Sequence, residues 1–381
     1  MRPGRRPPAR GPLDLVVLGL SLSSSWGNGH ATTYRALLKA FAARGHRVTF
    51  LERDVPWYAG ANRDLADPDW CELLFYDGLA ALEAHRRTIE GADAAIVGSY
   101  VPDGVAVGGR VQDWATGVTA FYDIDTPVTL GKLERGEHDY LSPELIPSYD
   151  LYLSFTGGPT LDLIERRYGA PAARALYCSV DPAAYPPLPR AKRWDLSYLG
   201  TYSPDRQPVL ERLLLEPARR APELRFVVAG PQYPAEISWP ANVERFEHVG
   251  PADHPEFYAA SRFTLNVTRA DMVRAGWSPS VRLFEAAACA VPILSDRWEG
   301  LGSLFAPDRE IGLIDGPDDV LAFLQDATPG TARAMGRAGR ARIMAEHTAA
   351  HRAAELERDL REAGAARSAP TPRLAEAIAA N

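Results

Sequence analysis

"SPSVRLFEAAACAVPILSD" (residues 278–296) runs from a serine-flanked proline through a helical segment into an apolar strand. Ser278 suits a helix cap and Pro279 the first turn, so the N–H groups of that turn, with Ser280 in it, are open to an anion. Helical spacing puts Ser278, Arg282, Glu285 and Cys289 on one stripe and Val281, Phe284 and Ala288 on another. Arg282 is placed to neutralise a phosphate, and an ionised Glu285 accepts hydrogen bonds from a vicinal diol such as a ribose. The competing reading is a surface ion pair at i,i+3, worth a few tenths of a kcal/mol. The apolar AVPILSD that follows favours burial and a nucleotide diphosphate site.

Outward from this stretch the chain alternates strand and helix. LDLVVLGL (13–20) is a continuous apolar run, typical of a strand covered on both faces. ATTYRALLKAFAARG (31–45) has helical spacing with Gly45 as its stop, and HRVTFLERD (46–54) supplies the next strand. AAIVGS (94–99), VTAFYD (118–123) and LYLSF (151–155) continue the pattern, which predicts a parallel, doubly wound sheet. Proline density then rises in SVDPAAYPPLPRAKR (179–193), and WDLSYLG (194–200), LRFVVAG (224–230), VERFEHVG (243–250), RFTLNV (262–267) and VPILSD (291–296) repeat the architecture. The expected organisation is a basic arm over 1–11 and a Rossmann-like domain over 12–185. A linker over 186–193 leads to a second Rossmann-like domain over 194–346. A helix over 347–366 crosses back to the first domain, and an unordered tail covers 367–381. Two such α/β domains face each other across a cleft, and open sheets bind ligands beyond the carboxyl ends of their strands.

Composition narrows the partners. The 381 residues are 46% apolar with a net charge of −7, which lacks the basic field that nucleic-acid binding needs. Cys71, Cys178 and Cys289 stand far apart, without the spacing of a disulfide framework or a zinc site, and fit a reducing cytoplasm. The arginine-rich start superficially copies a signal peptide, but Asp14 interrupts its apolar run. No stretch is long and apolar enough to cross a bilayer.

The segment 278–296, with EGLGSLFAPDREIGLI (299–314) behind it, resembles the donor-binding segment of GT-B glycosyltransferases, specifically the CgeB-like, spore-maturation type bacterial branch. YCSVDPAAYPP (177–187) looks like the inter-domain segment of such enzymes, and the similarity extends from GNGHATTYRALLKAFAARGHRVTFLERD (27–54) through HTAAHRAAELE (347–357). The resemblance implies a sugar nucleotide in the carboxyl-terminal domain and an acceptor in the amino-terminal one. Two positions depart from the pattern. Many retaining members carry two glutamates eight positions apart; Glu285 matches the second, but Trp277 stands at the first. Ala290 stands where glycine is more usual.

Further candidates lie at other strand ends. In SSSWGNGH (23–30), Gly27, Asn28 and Gly29 allow backbone to approach a ligand, although the spacing is not GxGxxG. His30 at a helix N-terminus favours the neutral ring, as a general base requires. In inverting members of the family a histidine after the first strand, aided by an aspartate beyond the fourth, deprotonates the acceptor; His30 with Asp123 or Asp125 occupies comparable places, Asp123 being the freer carboxylate. The plain alternative is that His30 and Asp125 only cap their helices. Asp123-Ile-Asp125 also spells a DxD pattern, but a second Rossmann-like half is present to hold the diphosphate, so no metal is expected. Thr201 and Arg206 in YLGTYSPDRQ, and Arg269 in NVTRAD, are candidates for the diphosphate. The expected protein is a metal-independent transferase without a cofactor, taking a nucleoside-diphosphate sugar and a hydroxyl or amine acceptor and leaning to inversion because of Trp277. The rivals are a nucleotide-sugar epimerase or hydrolase, and a non-catalytic binding protein of the same fold. The sequence leaves oligomeric state open.

Overall fold

The apolar runs form two parallel sheets in the computed structural model, which describes residues 11–26 and 29–368. Gly27, Asn28, all but Gly11 of the expected basic arm and the tail beyond Ser368 lie outside the described residues. The first sheet contains β1 (Asp14–Gly19), β2 (Arg47–Arg53), β3 (Glu72–Tyr76), β4 (Ala94–Gly98), β5 (Val118–Asp123), β6 (Leu151–Ser154) and β7 (Ala173–Ala175), in the order β3-β2-β1-β4-β5-β6-β7. Every pairing is parallel; Leu15, for example, lies opposite Val48 on one side and Ala94 on the other. Central strands buried on both faces need apolar residues at consecutive positions, which is why Leu15, Val16, Val17 and Leu18 are all buried.

The chain leaves this sheet at Ala175 and enters the second at Trp194. β8 (Trp194–Leu199), β9 (Phe226–Ala229), β10 (Val243–Phe246), β11 (Ser261–Asn266), β12 (Ile293–Ser295) and β13 (Gly312–Leu313) take the order β10-β9-β8-β11-β12-β13. Both sheets therefore reverse direction beside their first strand, at β1/β4 and β8/β11, where a doubly wound sheet opens its ligand crevice.

The charged stretch after Pro329 is two helices, Pro329–Glu346 and Ala349–Ser368. They break at His347 and Thr348, where Thr348 forms a parallel bridge with Val180 of the other chain crossing. The last helix returns to the first lobe. Its Ala353, Leu356 and Leu360 are buried, Glu357 pairs with Arg44 at 2.6 Å, and Arg367 pairs with Asp150.

Candidate functional site

A cavity of about 260 Å³ opens between the lobes at the carboxyl ends of the strands. Ser25, Gly29 and Thr32 border it from the first lobe. From the second come the turns after β8 and β9 at Gly200, Thr201 and Gly230, the loop after β10 at His248, and the helix carrying Arg282 and Glu285. A larger hollow of about 920 Å³ lies beside Asp14, His46 and Arg47 at the amino ends of β1 and β2. Open parallel sheets bind at the opposite ends, so the inter-lobe cavity is the candidate site.

The helix facing the cavity spans Val281–Ala288, with Ser280 as its cap in extended conformation. The expected cap, Ser278, is two residues too early. Ser278 is buried between the lobes and accepts a hydrogen bond from Thr156 Oγ1 at 2.9 Å, so tertiary contact holds the Ser-Pro-Ser segment extended beyond the proline. Ser280 lines the cavity and donates to Asn266 Oδ1 at 2.8 Å.

Arg282 is buried, not a surface ion pair. Its Nε donates to the Leu199 carbonyl at 2.5 Å and its Nη1 to Asn266 Oδ1 at 3.0 Å, while the guanidinium covers Tyr198 at 4.8 Å. The remaining nitrogen, Nη2, points at Gly200, where an added Cβ would come within 2.7 Å of it. This fork fixes the cation against the turn after β8, and its free edge faces the cavity wall. Asn266 is the hub: it also donates from Nδ2 to Thr268 Oγ1 at 3.1 Å and to Ser295 Oγ at 3.0 Å. An asparagine with every polar site engaged gives no periodic signal in sequence, and Asn266 was not among the expected residues.

Glu285, 6% exposed, sits one turn further along the same face. Its Oε1 accepts from the Tyr185 hydroxyl at 2.8 Å, and Oε2 lies 3.5 Å from His254 Nδ1. Tyr185, His254 and Tyr258 around this carboxylate are likewise single residues that spacing does not single out.

Across the cleft, His30 begins the helix Gly29–Ala43. Burial holds its pKa below the usual imidazole value, opposed by the nearby Asp125 carboxylate. Tyr100 meets the His30 ring edge-to-face at 5.2 Å and donates to Asp125 Oδ2 at 3.3 Å, so His30, Tyr100 and Asp125 form one group. Asp123 is not the freer carboxylate. It has no exposed surface, and it accepts from Tyr152 at 2.6 Å and Thr129 at 2.7 Å. Burial pushes its carboxyl up to about 6 despite those hydrogen bonds. With Asp123 turned into the core, the two aspartates of DxD do not present a shared face to a metal. Among the described residues no group of three His, Cys, Asp or Glu side chains could hold a metal ion.

Thr201 and Gly29 line the cavity, but Arg206 and Arg269 do not. Arg206 turns back to the Thr201 carbonyl, with Nη2 donating at 2.7 Å. Arg269 stands between the lobes, 3.9 Å from Asp125 and 4.0 Å from Asp205. Trp277, in a left-handed conformation with φ 42°, fills the space between Gly158 of the first lobe and Gly300 of the second.

Residues 206–358 match the family described as glycosyl transferase-like. No curated protein matches the chain. Among solved structures, sucrose-phosphate synthase from Thermosynechococcus elongatus aligns with a TM-score of 0.69 at 15% identity, over 93% of this chain and all 100% of that one. Anabaena HepE in complex with UDP-glucose aligns at 0.65 and 12% identity, over 92% and 100% of the two chains. An alpha-glucosyltransferase in complex with UDP-glucose and DNA containing an abasic site aligns at 0.69 and 12%, again over 92% and 100%. These likenesses agree with the two facing parallel sheets: the chain has the GT-B fold. Among the described residues no helix is long and apolar enough to cross a membrane.

Proposed function

We propose that the protein is a glycosyltransferase that moves a sugar from a nucleoside-diphosphate donor to an acceptor held by the first lobe. One observation carries this reading: Arg282 and Glu285 lie buried on one face of a helix that opens onto the inter-lobe cavity, beside the glycine turn after β8. A fixed guanidinium, the N–H groups of the helix start and the Gly200 turn stabilise charge developing on the leaving diphosphate; the carboxylate takes the ribose hydroxyls. His30, kept neutral by burial and oriented beside Asp125, removes the acceptor proton. This arrangement needs no metal, and the aromatic Trp277 in place of a carboxylate favours inversion. The CgeB-like branch and a cytoplasmic setting are part of the proposal and rest on the sequence resemblance and on three buried free cysteines.

Titration with UDP, GDP and dTDP in the presence of EDTA tests the reading. One of them should bind and raise the melting temperature by mass action. Glu285→Ala should weaken that binding by about 1–3 kcal/mol. Absence of binding by all three at millimolar concentration would remove the donor site. Rapid hydrolysis or epimerisation of labelled UDP-, GDP- or dTDP-sugars without any acceptor would replace transfer by one of those reactions.

A further inference from the structure

Glu285 is not held by its own lobe alone. Tyr185 belongs to the chain that crosses between the sheets, after β7 and before β8, and its hydroxyl donates to Glu285 Oε1 at 2.8 Å. Both side chains are buried, Tyr185 to 4% and Glu285 to 6% exposure. Burial and the facing carboxylate push the Tyr185 phenol far above its usual range, which favours its role as the donor. His254 Nε2 lies 3.3 Å from the Val249 carbonyl, and its Nδ1 lies 3.4 Å from the Tyr185 hydroxyl. The same Nδ1 lies 3.5 Å from Glu285 Oε2, farther than the 2.8 Å from Tyr185 to Oε1. Tyr258 closes the group: it lines the cavity, has no exposed surface, and its hydroxyl faces the Glu285 carboxylate. One carboxylate oxygen is thus pinned from the crossing chain, and the carboxylate borders the cavity between His254 and Tyr258.

We propose that Tyr185 is a positioning residue for ribose recognition: by fixing Oε1 of Glu285 it turns Oε2 toward the nucleotide's hydroxyls, so that affinity for the diol depends on the docked crossing chain. The inference rests on the reading of this cavity as the nucleotide site. A carboxylate has about four lone-pair positions, and Tyr185 uses one, so ribose hydroxyls do not have to displace it. Without that pin, the carboxylate is free to turn further onto His254 and Tyr258, which already border it, and the diol loses its acceptor.

The test compares UDP with 2′-deoxy-UDP, and GDP with 2′-deoxy-GDP, by calorimetry on the full chain, taking whichever base binds more tightly. The native protein is expected to prefer the ribonucleotide by about tenfold or more. Tyr185→Phe should reduce that preference to within about threefold, while binding of the deoxy form changes little. Equal weakening of both forms would show a merely structural role and overturn the proposal, as would an unchanged preference. Glu285→Gln supplies an independent arm: it keeps an oxygen for Tyr185 but loses the charge, and the preference should fall with the melting temperature nearly unchanged. Retention of the native preference by Glu285→Gln overturns the proposal whether or not Tyr185→Phe folds. Failure of the native chain to bind UDP or GDP would instead remove the nucleotide reading itself, and this inference with it.

Discussion

The Tyr152 hydroxyl donates to Asp123 Oδ2 at 2.6 Å, inside the first lobe where the carboxylate has no exposed surface. Burial outweighs the hydrogen bonds and raises the Asp123 carboxyl from 3.8 to about 6. The folded chain therefore binds this proton more tightly than the unfolded chain. Its contribution to stability is complete below about pH 4 and is lost as pH rises through about 6. Asp123→Asn should flatten the dependence of unfolding free energy on pH over that window, by on the order of 2–3 kcal/mol. Urea denaturation of the two proteins between pH 4 and 7 measures it, and parallel curves would show that Asp123 is not the group responsible.

Arg282 anchors the turn after β8 through three directions at once: the Leu199 carbonyl, Asn266 and the face of Tyr198. Lysine keeps the charge but has neither the planar fork nor the stacking surface. Arg282→Lys should weaken nucleoside-diphosphate binding by about 1–3 kcal/mol. The corresponding nucleoside, which lacks phosphates, should bind nearly as well as to the native chain. Calorimetry with UDP and uridine, or GDP and guanosine, separates the two effects, and an equal loss for both would show that Arg282 only supports the fold.

The same details show what could be read from sequence. LDLVVLGL announced β1 because a strand covered on both faces leaves no polar position, and the repeat of that signal after Trp194 announced a second sheet. Arg282 and Glu285 were legible because helical spacing puts two charges on one stripe of an otherwise apolar segment. The cap was not. Ser-Pro-Ser offers two serines, and the choice of Ser280 depends on Thr156, which holds Ser278 from 122 residues away. Asp123 and Asp125 exchanged places for a similar reason: both leave the end of β5, and only Tyr152 and Thr129 determine which turns inward. Tyr185, Asn266 and Tyr258 act as isolated residues brought together by topology, so no local pattern marks them. β3 gives no comparable signal because it is a sheet edge, with Leu73, Leu74 and Phe75 partly exposed.

Trp277 joins the lobes by shape. Its N–H donates to the Glu299 carbonyl at 2.6 Å, and its carbonyl accepts from Gly157 N–H at 3.0 Å. A Cβ on Gly158, whose φ is 58°, would lie 2.5 Å from the indole, and one on Gly300, whose φ is 91°, 2.4 Å from it. Gly158→Ala should destabilise the protein by about 2 kcal/mol or more, from left-handed strain together with overpacking. In a Trp277→Ala background the overpacking part disappears, so the same substitution should cost about 1 kcal/mol less. A double-mutant cycle by chemical denaturation reads this coupling; strict additivity would mean that the indole does not set the inter-lobe contact.

Burial and Asp125 act in opposite directions on the His30 proton. Burial lowers the His30 pKa below 6.5, and Asp125 raises it. If neutral His30 takes the acceptor proton, the transfer rate falls as pH drops through the His30 pKa, on the acid side of 6.5. Asp125→Asn removes the raising influence, so the acid inflection of kcat/KM should move to lower pH. The plateau rate should fall roughly 10- to 100-fold, because the ring loses its orienting carboxylate and the partner of its charged form. His30→Ala should cost roughly 10²- to 10⁴-fold and abolish the inflection, with nucleotide affinity unchanged because Glu285 and Arg282 stay in place. Tyr100→Phe isolates orientation from charge: it removes the hydroxyl 3.3 Å from Asp125 but keeps both titrating groups. The inflection should remain within a few tenths of a pH unit while the rate falls, whereas an inflection displaced as far as in Asp125→Asn would assign the acid limb to another group.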